Sequence, residues 1–169
     1  MGVKIRIRDA RVEDKDKILQ LIESHPCKWD KGIAKRYYDD YFSDNSVFLK
    51  GDKVYVLVSD RRIIGVIGYS LDRYETKNYW LDWYYIDKKY EGQGYGRKLL
   101  HHVTRELKRK GVKRLFVDTS SDRFYSNALR MYLGNGFKIE AIIRDYYGKG
   151  EDQIILSKTW PIMLQRKYS

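Results

Sequence analysis

The segment Glu91-Gly92-Gln93-Gly94-Tyr95-Gly96-Arg97 sets three glycines at alternate positions, just before apolar residues with helical spacing. Lacking a Cβ, glycine lets the backbone approach a ligand closely and enter positive φ. In such a turn successive N–H groups converge at the N-terminus of the following helix. Unpaired donors and the helix dipole together favour an anion there, such as a pyrophosphate. Arg97 could add a charged clamp. The same triplet is equally compatible with a plain strand-to-helix turn that needs glycine only for its backbone angles. Spacing removes two phosphate motifs. No stretch supplies the Gly-x-x-x-x-Gly-Lys-Ser/Thr of a Walker loop. A dinucleotide fingerprint begun at Gly92 and Gly94 would need a third glycine where Arg97 stands, although Asp118 lies about twenty residues downstream.

Other reactive residues are few. The single cysteine, Cys27, excludes an internal disulfide and any Cys-x-x-Cys site. His101 and His102 have no ligand partner one helical turn away, so a solvated helix face is expected and no metal. With 34 Lys and Arg against 23 Asp and Glu, the net charge is +11, which favours anionic partners. Hydrophobic residues at 43% suffice for a core, and 169 residues make one domain, expected over 1–169. The longest apolar stretch, around Ile63 to Ile67, is far too short to span a bilayer, and no apolar signal core opens the chain. A cytoplasmic protein without a membrane partner is expected.

Periodicity supplies the elements that must hold the glycine turn. Val3, Ile5 and Ile7 alternate as a half-buried strand, and Ile18, Leu21 and Ile22 follow at helical spacing. A loop with His25, Pro26, Cys27 and Trp29, whose aromatics could line a pocket, leads to a helix through Ile33, Tyr37, Tyr38 and Tyr41. Val54 to Val58, Ile63 to Leu71 and Tyr79 to Ile86 form a meander, the first two joined at Asp60-Arg61-Arg62. After the glycine turn, Arg97 to Lys110 is predicted as a helix closed by Gly111. Val112 to Val117 is a strand and Asp122 to Leu133 a helix; Phe137 to Ile143 and Gln153 to Lys158 pair last. The order is βααβββαβαββ, a mixed α/β (α+β) domain.

On these residues the chain resembles the GNAT superfamily of N-acetyltransferases, which holds the pyrophosphate of acetyl-CoA with Arg/Gln-x-x-Gly-x-Gly/Ala. Glu91 to Gly96 fits that spacing, with Glu91 where the family usually has Arg or Gln. Trp83 to Tyr90 looks like the family's fourth strand, and Ala128 to Phe137 like its Ala-x-x-x-Tyr followed by Gly-Phe. Ile5 to Ala10 with Glu13-Asp14 is similar to its opening. The likeness runs from residue 4 to about residue 160. It implies a central, mostly antiparallel seven-stranded sheet flanked by about four helices, with acetyl-CoA as cosubstrate.

The resemblance also implies roles. The cosubstrate would lie on Gly92, Gln93, Gly94, Tyr95, Gly96 and Arg97, with Asn127 near its chain. Strand four would splay from strand five, so that backbone groups of Tyr84, Tyr85 and Ile86 bond pantetheine and thioester. Tyr132 would be the general acid toward the sulfur; its alternative is a core aromatic. Many relatives carry Glu eleven residues before the motif, but that count lands on Trp80. Asp82, on the same strand face as Trp80 by the period of two, is the candidate general base, or else a partly buried structural carboxylate. Direct transfer to a primary amine is therefore the expected reaction, the acceptor being chosen around Cys27, Trp29, Tyr37, Tyr146 and Tyr147. A nucleic-acid-binding module and a non-catalytic acyl-CoA-binding protein are the competing readings. Lys108-Arg109-Lys110 and Lys113-Arg114 lie in no recognised nucleic-acid motif. The density of Tyr and Trp could also serve a homodimer.

Overall fold

The computed structural model describes residues 5–25, 30–43, 51–72, 74 and 76–160. Val3, Pro26, Cys27 and Trp29 lie outside the described residues. The elements are β1 (Ile5–Asp9), α1 (Lys15–Glu23), α2 (Asp30–Tyr41), β2 (Lys53–Ser59), β3 (Arg62–Leu71), β4 (Asn78–Ile86), α3 (Tyr95–Arg109), β5 (Arg114–Ser120), α4 (Ser126–Gly134), β6 (Lys138–Gly148) and β7 (Glu151–Thr159). Their order is the one the periodicity predicts. They build one seven-stranded sheet in the order β1-β2-β3-β4-β5-β7-β6. It is mostly antiparallel, with a parallel β4–β5 ladder made of Asn78↔Arg114, Tyr79↔Leu115 and Trp80↔Phe116.

The last strands run further than the sequence reading has them, β5 to Ser120 and β6 to Gly148, and at two helix starts the boundary differs for a local reason. Helix α3 starts at Tyr95, not Arg97, because the Lys98 N–H reaches the Gly94 carbonyl at 3.0 Å and closes the first turn there. Gly96 is thus a helical residue. The predicted Asp122–Leu133 helix opens with a separate tight turn, in which the Asp122 carboxylate accepts the Phe124 N–H at 2.8 Å, before α4 proper.

The chain divides into two compact units, Met1–Leu71 with Leu81–Val103, and Asp72–Trp80 with Thr104–Ser169. In the first, Ile18, Leu21 and Ile22 of α1 and Ala34 and Tyr38 of α2 pack on Val54, Val56, Val58, Ile63 and Val66 of β2 and β3. Those are the apolar positions that recur at helical spacing and along the hairpin. The β2–β3 hairpin closes through Asp60 and Arg61, both at positive φ (43° and 71°), the geometry that matches strand twist. In the second, Leu107, Val112, Leu115, Val117, Tyr132, Phe137, Ile154 and Leu156 are buried.

The entry to α1 is fixed by charge. Asp14 is 6% exposed; it accepts Arg8 Nη1 and Nη2 at 2.6 and 2.9 Å and the Arg11 N–H at 2.9 Å. The Arg8 hydrogen bonds hold its carboxyl below the ordinary 3.8. A carboxyl with a depressed folded value stabilises the fold above its unfolded value, and that contribution disappears as pH falls through the folded value. Asp14→Asn should therefore cost about 2 kcal/mol at neutral pH. The deficit should shrink below the ordinary value of 3.8, read by urea melts of both proteins at pH 7 and at acid pH.

Candidate active site

The glycine turn lies in the first unit. Asp87 anchors its start: the Asp87 N–H donates to the Ile64 carbonyl and its carboxylate accepts the Lys89 N–H, both at 2.9 Å. The Gln93 side chain donates to the Lys89 carbonyl at 2.9 Å and so braces the turn from within. Gly92 and Gly94 hold φ of +73° and +83°, and a Cβ built on either would meet nothing within 4 Å. These two glycines serve conformation, and the chain outside them is open. Gly96 serves proximity instead: a Cβ there would stand 2.6 Å from the Tyr84 hydroxyl. Above Lys98 the first α3 amides have no carbonyl within the helix, which leaves them directed at the turn. Arg97 is exposed in that same first helical turn. Tyr95 sets its ring 6.1 Å from that of Tyr90. Glu91, at the position where Arg or Gln is usual, faces the His25 imidazole with Oε1 3.6 Å from Nε2.

On β4 the strand's alternation is interrupted. Trp83 has φ of +43°, and in consequence two sequence neighbours lie against α2. The Trp83 ring is 5.6 Å from that of Tyr37 and 6.3 Å from that of Tyr38. The Asp82 carboxylate acts electrostatically on both tyrosine hydroxyls. A Cβ on Gly68 of the neighbouring strand would lie 3.5 Å from the Asp82 Cβ. Burial, reinforced by Asp82, drives the Tyr37 and Tyr38 hydroxyls far above the ordinary 10.0, so both stay protonated. Alternation resumes beyond Trp83. Tyr84 turns under Gly96, Tyr85 meets the His25 ring at 4.8 Å, and Ile86 packs at the Gly65 position.

Tyr132 belongs to the second unit. Its helix ends in a Schellman motif: the Phe137 N–H reaches the Tyr132 carbonyl and the Gly136 N–H the Leu133 carbonyl, each at 3.1 Å. Gly136 supplies the φ of +84° that this cap needs, and the Phe137 ring packs 5.5 Å from that of Tyr132. The Tyr followed by Gly-Phe of the sequence is therefore a device that locks Tyr132. Gly136→Ala should cost about 1 kcal/mol through left-handed strain and lower kcat by loosening Tyr132, checked by thermal melts and steady-state assay. Tyr132 is 4% exposed, and burial, with Asp118 adding, pushes its hydroxyl well above the ordinary 10.0. Asn127 is exposed, and its Oδ1 accepts Arg130 Nη2 at 2.5 Å. Trp80 stacks on Phe116 at 5.0 Å, a packing residue where many relatives have a base.

Sequence reasoning missed Asp118 as a site residue. Its Oδ2 accepts the Tyr147 hydroxyl at 3.1 Å and Gln153 Nε2 at 2.9 Å, and it acts electrostatically on Tyr132. The available signal was weak: Asp118 breaks an otherwise apolar strand, but its partners come from β6, β7 and α4, which no local spacing connects.

A sequence model of the acetyltransferase (GNAT) family matches residues 18–137. The chain belongs to the GNAT family. A ribosomal protein bS18-alanine N-acetyltransferase of Escherichia coli (strain K12) is 36% identical over 76 residues, 43% of this chain and 49% of that protein. The chain thus spans about half the length of the curated relatives it matches. Among solved structures, a GNAT acetyltransferase from Desulfovibrio desulfuricans superposes with a TM-score of 0.80 at 24% identity, covering 94% of this chain and 99% of that one. The ribosomal-protein-S18-alanine N-acetyltransferase from Escherichia coli does so with a TM-score of 0.79 at 20% identity, covering 98% and 100%. These likenesses show the GNAT fold. Among the described residues no helix is long and apolar enough to cross a membrane, and no group of three or more His, Cys, Asp or Glu could hold a metal ion.

Proposed function

We propose that this GNAT protein, with residues 1–169 as one domain working in the cytoplasm, moves an acetyl group from acetyl-CoA to a primary amine by direct transfer. The observation that carries the reading is the glycine turn, where two positive-φ glycines in open space precede the unpaired amides of α3. That is a fit for a pyrophosphate, with Gly92 to Gly96 supplying backbone donors and Arg97 a cation. Likeness to ribosomal protein alanine N-acetyltransferases favours a protein N-terminal amine as acceptor.

When bound, acetyl-CoA supplies an activated acyl group on a thiol leaving group. The chain must then hold the acyl carbonyl, accept a proton from the amine and deliver one to the sulfur. Backbone groups of Tyr84, Tyr85 and Ile86 are assigned the first task, with Asn127 near the cofactor chain. Asp82 is assigned the second and Tyr132 the third. A raised hydroxyl pKa suits Tyr132, since it carries its proton at neutral pH. The interactions of Asp118 with Tyr132, Tyr147 and Gln153 favour a second candidate base there.

The pH–rate profiles of Asp82→Asn and Asp118→Asn separate the two. The true base, once amidated, should lose about a hundredfold in kcat/KM together with the acid limb, while the other variant keeps both. Unchanged profiles in both variants would remove both carboxylates from the base role. Thermal protection by acetyl-CoA but not by an oligonucleotide favours the enzyme over a nucleic-acid-binding module. Turnover across a panel of amine-terminated peptides distinguishes it from a non-catalytic acyl-CoA binder.

A further inference from the structure

Within the first unit, a carboxylate stands where the assigned ligand brings negative charge. Glu91 immediately precedes Gly92, and its side chain is 51% exposed at the start of the glycine turn. At this position, where Arg or Gln is usual, a side chain with N–H groups can donate to a pyrophosphate, whereas a carboxylate only accepts and repels it. The turn holds an anion best if that carboxylate is drawn elsewhere. His25 is placed to draw it. The residue follows the last turn of α1, where the His25 N–H donates to the Ile22 carbonyl at 3.1 Å. Its Nδ1 lies 3.0 Å from the Leu21 carbonyl and 3.4 Å from Ser24 Oγ, and the ring meets that of Tyr85 edge-on at 4.8 Å. A carbonyl only accepts, so Nδ1 carries its proton toward Leu21, and Nε2 is left facing Glu91 Oε1 at 3.6 Å. The imidazole is only 14% exposed, and these contacts hold it in that direction. A proton on Nε2 gives both ring nitrogens an acceptor, and the resulting cation also complements the carbonyl end of α1.

We propose that His25 is a positioning residue for the cosubstrate, holding the Glu91 carboxylate toward α1 and away from the pyrophosphate. The proposal rests on the reading of the glycine turn as the acetyl-CoA site. Its action runs through Glu91. That residue has extended backbone (φ −63°, ψ 155°), and a Cβ built on the neighbouring Gly92 would meet nothing within 4 Å. A carboxylate released by His25 therefore has room to turn back over the glycines. An exposed pair of this kind adds little to stability. Its effect falls on ligand binding instead, because an unopposed like charge beside the site acts directly on the incoming anion. The same ring packs on Tyr85, so His25→Phe, which keeps an aromatic ring there, separates the charge from the packing.

Calorimetric titration of the full chain with CoA, at about 0.05 and about 0.5 M salt, reads the effect. His25→Phe should weaken CoA binding about five- to tenfold at low salt. The ratio to wild type should shrink at high salt, as repulsion between exposed charges does. Glu91→Gln should bind CoA at least as tightly as the wild type. In the His25→Phe/Glu91→Gln double variant, affinity should return to within about twofold of Glu91→Gln alone, because no carboxylate remains to be held. His25→Asn, smaller and neutral, should repeat this pattern and serves if the phenyl variant does not fold. In turnover either His25 variant should raise KM for acetyl-CoA and leave kcat within about twofold. Wild-type CoA affinity in both His25 variants, a loss undiminished in the double variant, or weaker binding by Glu91→Gln would each overturn the proposal while leaving the glycine turn as the site. A wild type that takes up no CoA would overturn the reading of the turn, and this inference with it.

Discussion

Tyr132→Phe should lower kcat by about a hundredfold or more while leaving KM for acetyl-CoA within about twofold. The substitution keeps the ring, and with it the contact to Phe137 and the Schellman cap that holds α4. Only the hydroxyl leaves. The stability cost should therefore be about 1 kcal/mol, too little to account for the lost rate. Burial and Asp118 hold the hydroxyl above its ordinary 10.0, so in the wild type Tyr132 keeps its proton across neutral and mildly alkaline pH. A fall in kcat below pH 10 must then come from another group. Pre-steady-state rates with acetyl-CoA and a peptide amine measure the effect. A Tyr132→Phe protein that turns over within about threefold of wild type would return Tyr132 to the role of a core aromatic.

Gly96→Ala should destabilise the protein and raise KM for acetyl-CoA, against the usual direction for a helical glycine. In an unobstructed helix the change to alanine stabilises by about 1 kcal/mol. Here the added methyl would sit 2.6 Å from the Tyr84 hydroxyl, and either the ring or the first turn of α3 must move. Overpacking of this kind costs about 1 to 3 kcal/mol, and displacing the first turn misaligns the amides assigned to the pyrophosphate. The decisive comparison is the double variant with Tyr84→Phe. Without the hydroxyl, the nearest atoms are Tyr84 Cζ at 3.5 Å and Ile86 Cγ1 at 3.6 Å, ordinary contacts. In that background alanine should be neutral or stabilising, a coupling of about 2 kcal/mol in a double-mutant cycle. If alanine is equally harmful once the Tyr84 hydroxyl has been removed, the contact is not the cause.

The element order, the glycine turn and the Tyr…Gly-Phe segment were all legible in the linear chain. Each depends on residues within a turn or two of one another. Val54 to Val58 form an unbroken apolar run because both faces of β2 are buried, and Leu99, Leu100, Val103 and Leu107 recur at helical spacing because one side of α3 is buried. Gly136 and Phe137 follow Tyr132 at the offsets a Schellman motif demands. Less was legible at the boundaries: the Gly94 carbonyl starts α3 two residues before the apolar pattern suggests.

By itself, then, the sequence determined which segments are strands and helices and where a glycine turn meets a helix start, since short-range spacing and glycine chemistry decide both. The tertiary structure alone decided which distant side chains meet. A positive φ at Trp83 sets Asp82 and Trp83 together against α2, where strict alternation would part them. Register brings Asp118 to Tyr147 and Gln153 across three strands, and pairs the Tyr84 hydroxyl with Gly96. Such encounters turn on one-residue shifts in strand pairing, each of which exchanges the faces of every side chain beyond it, and no local pattern encodes them.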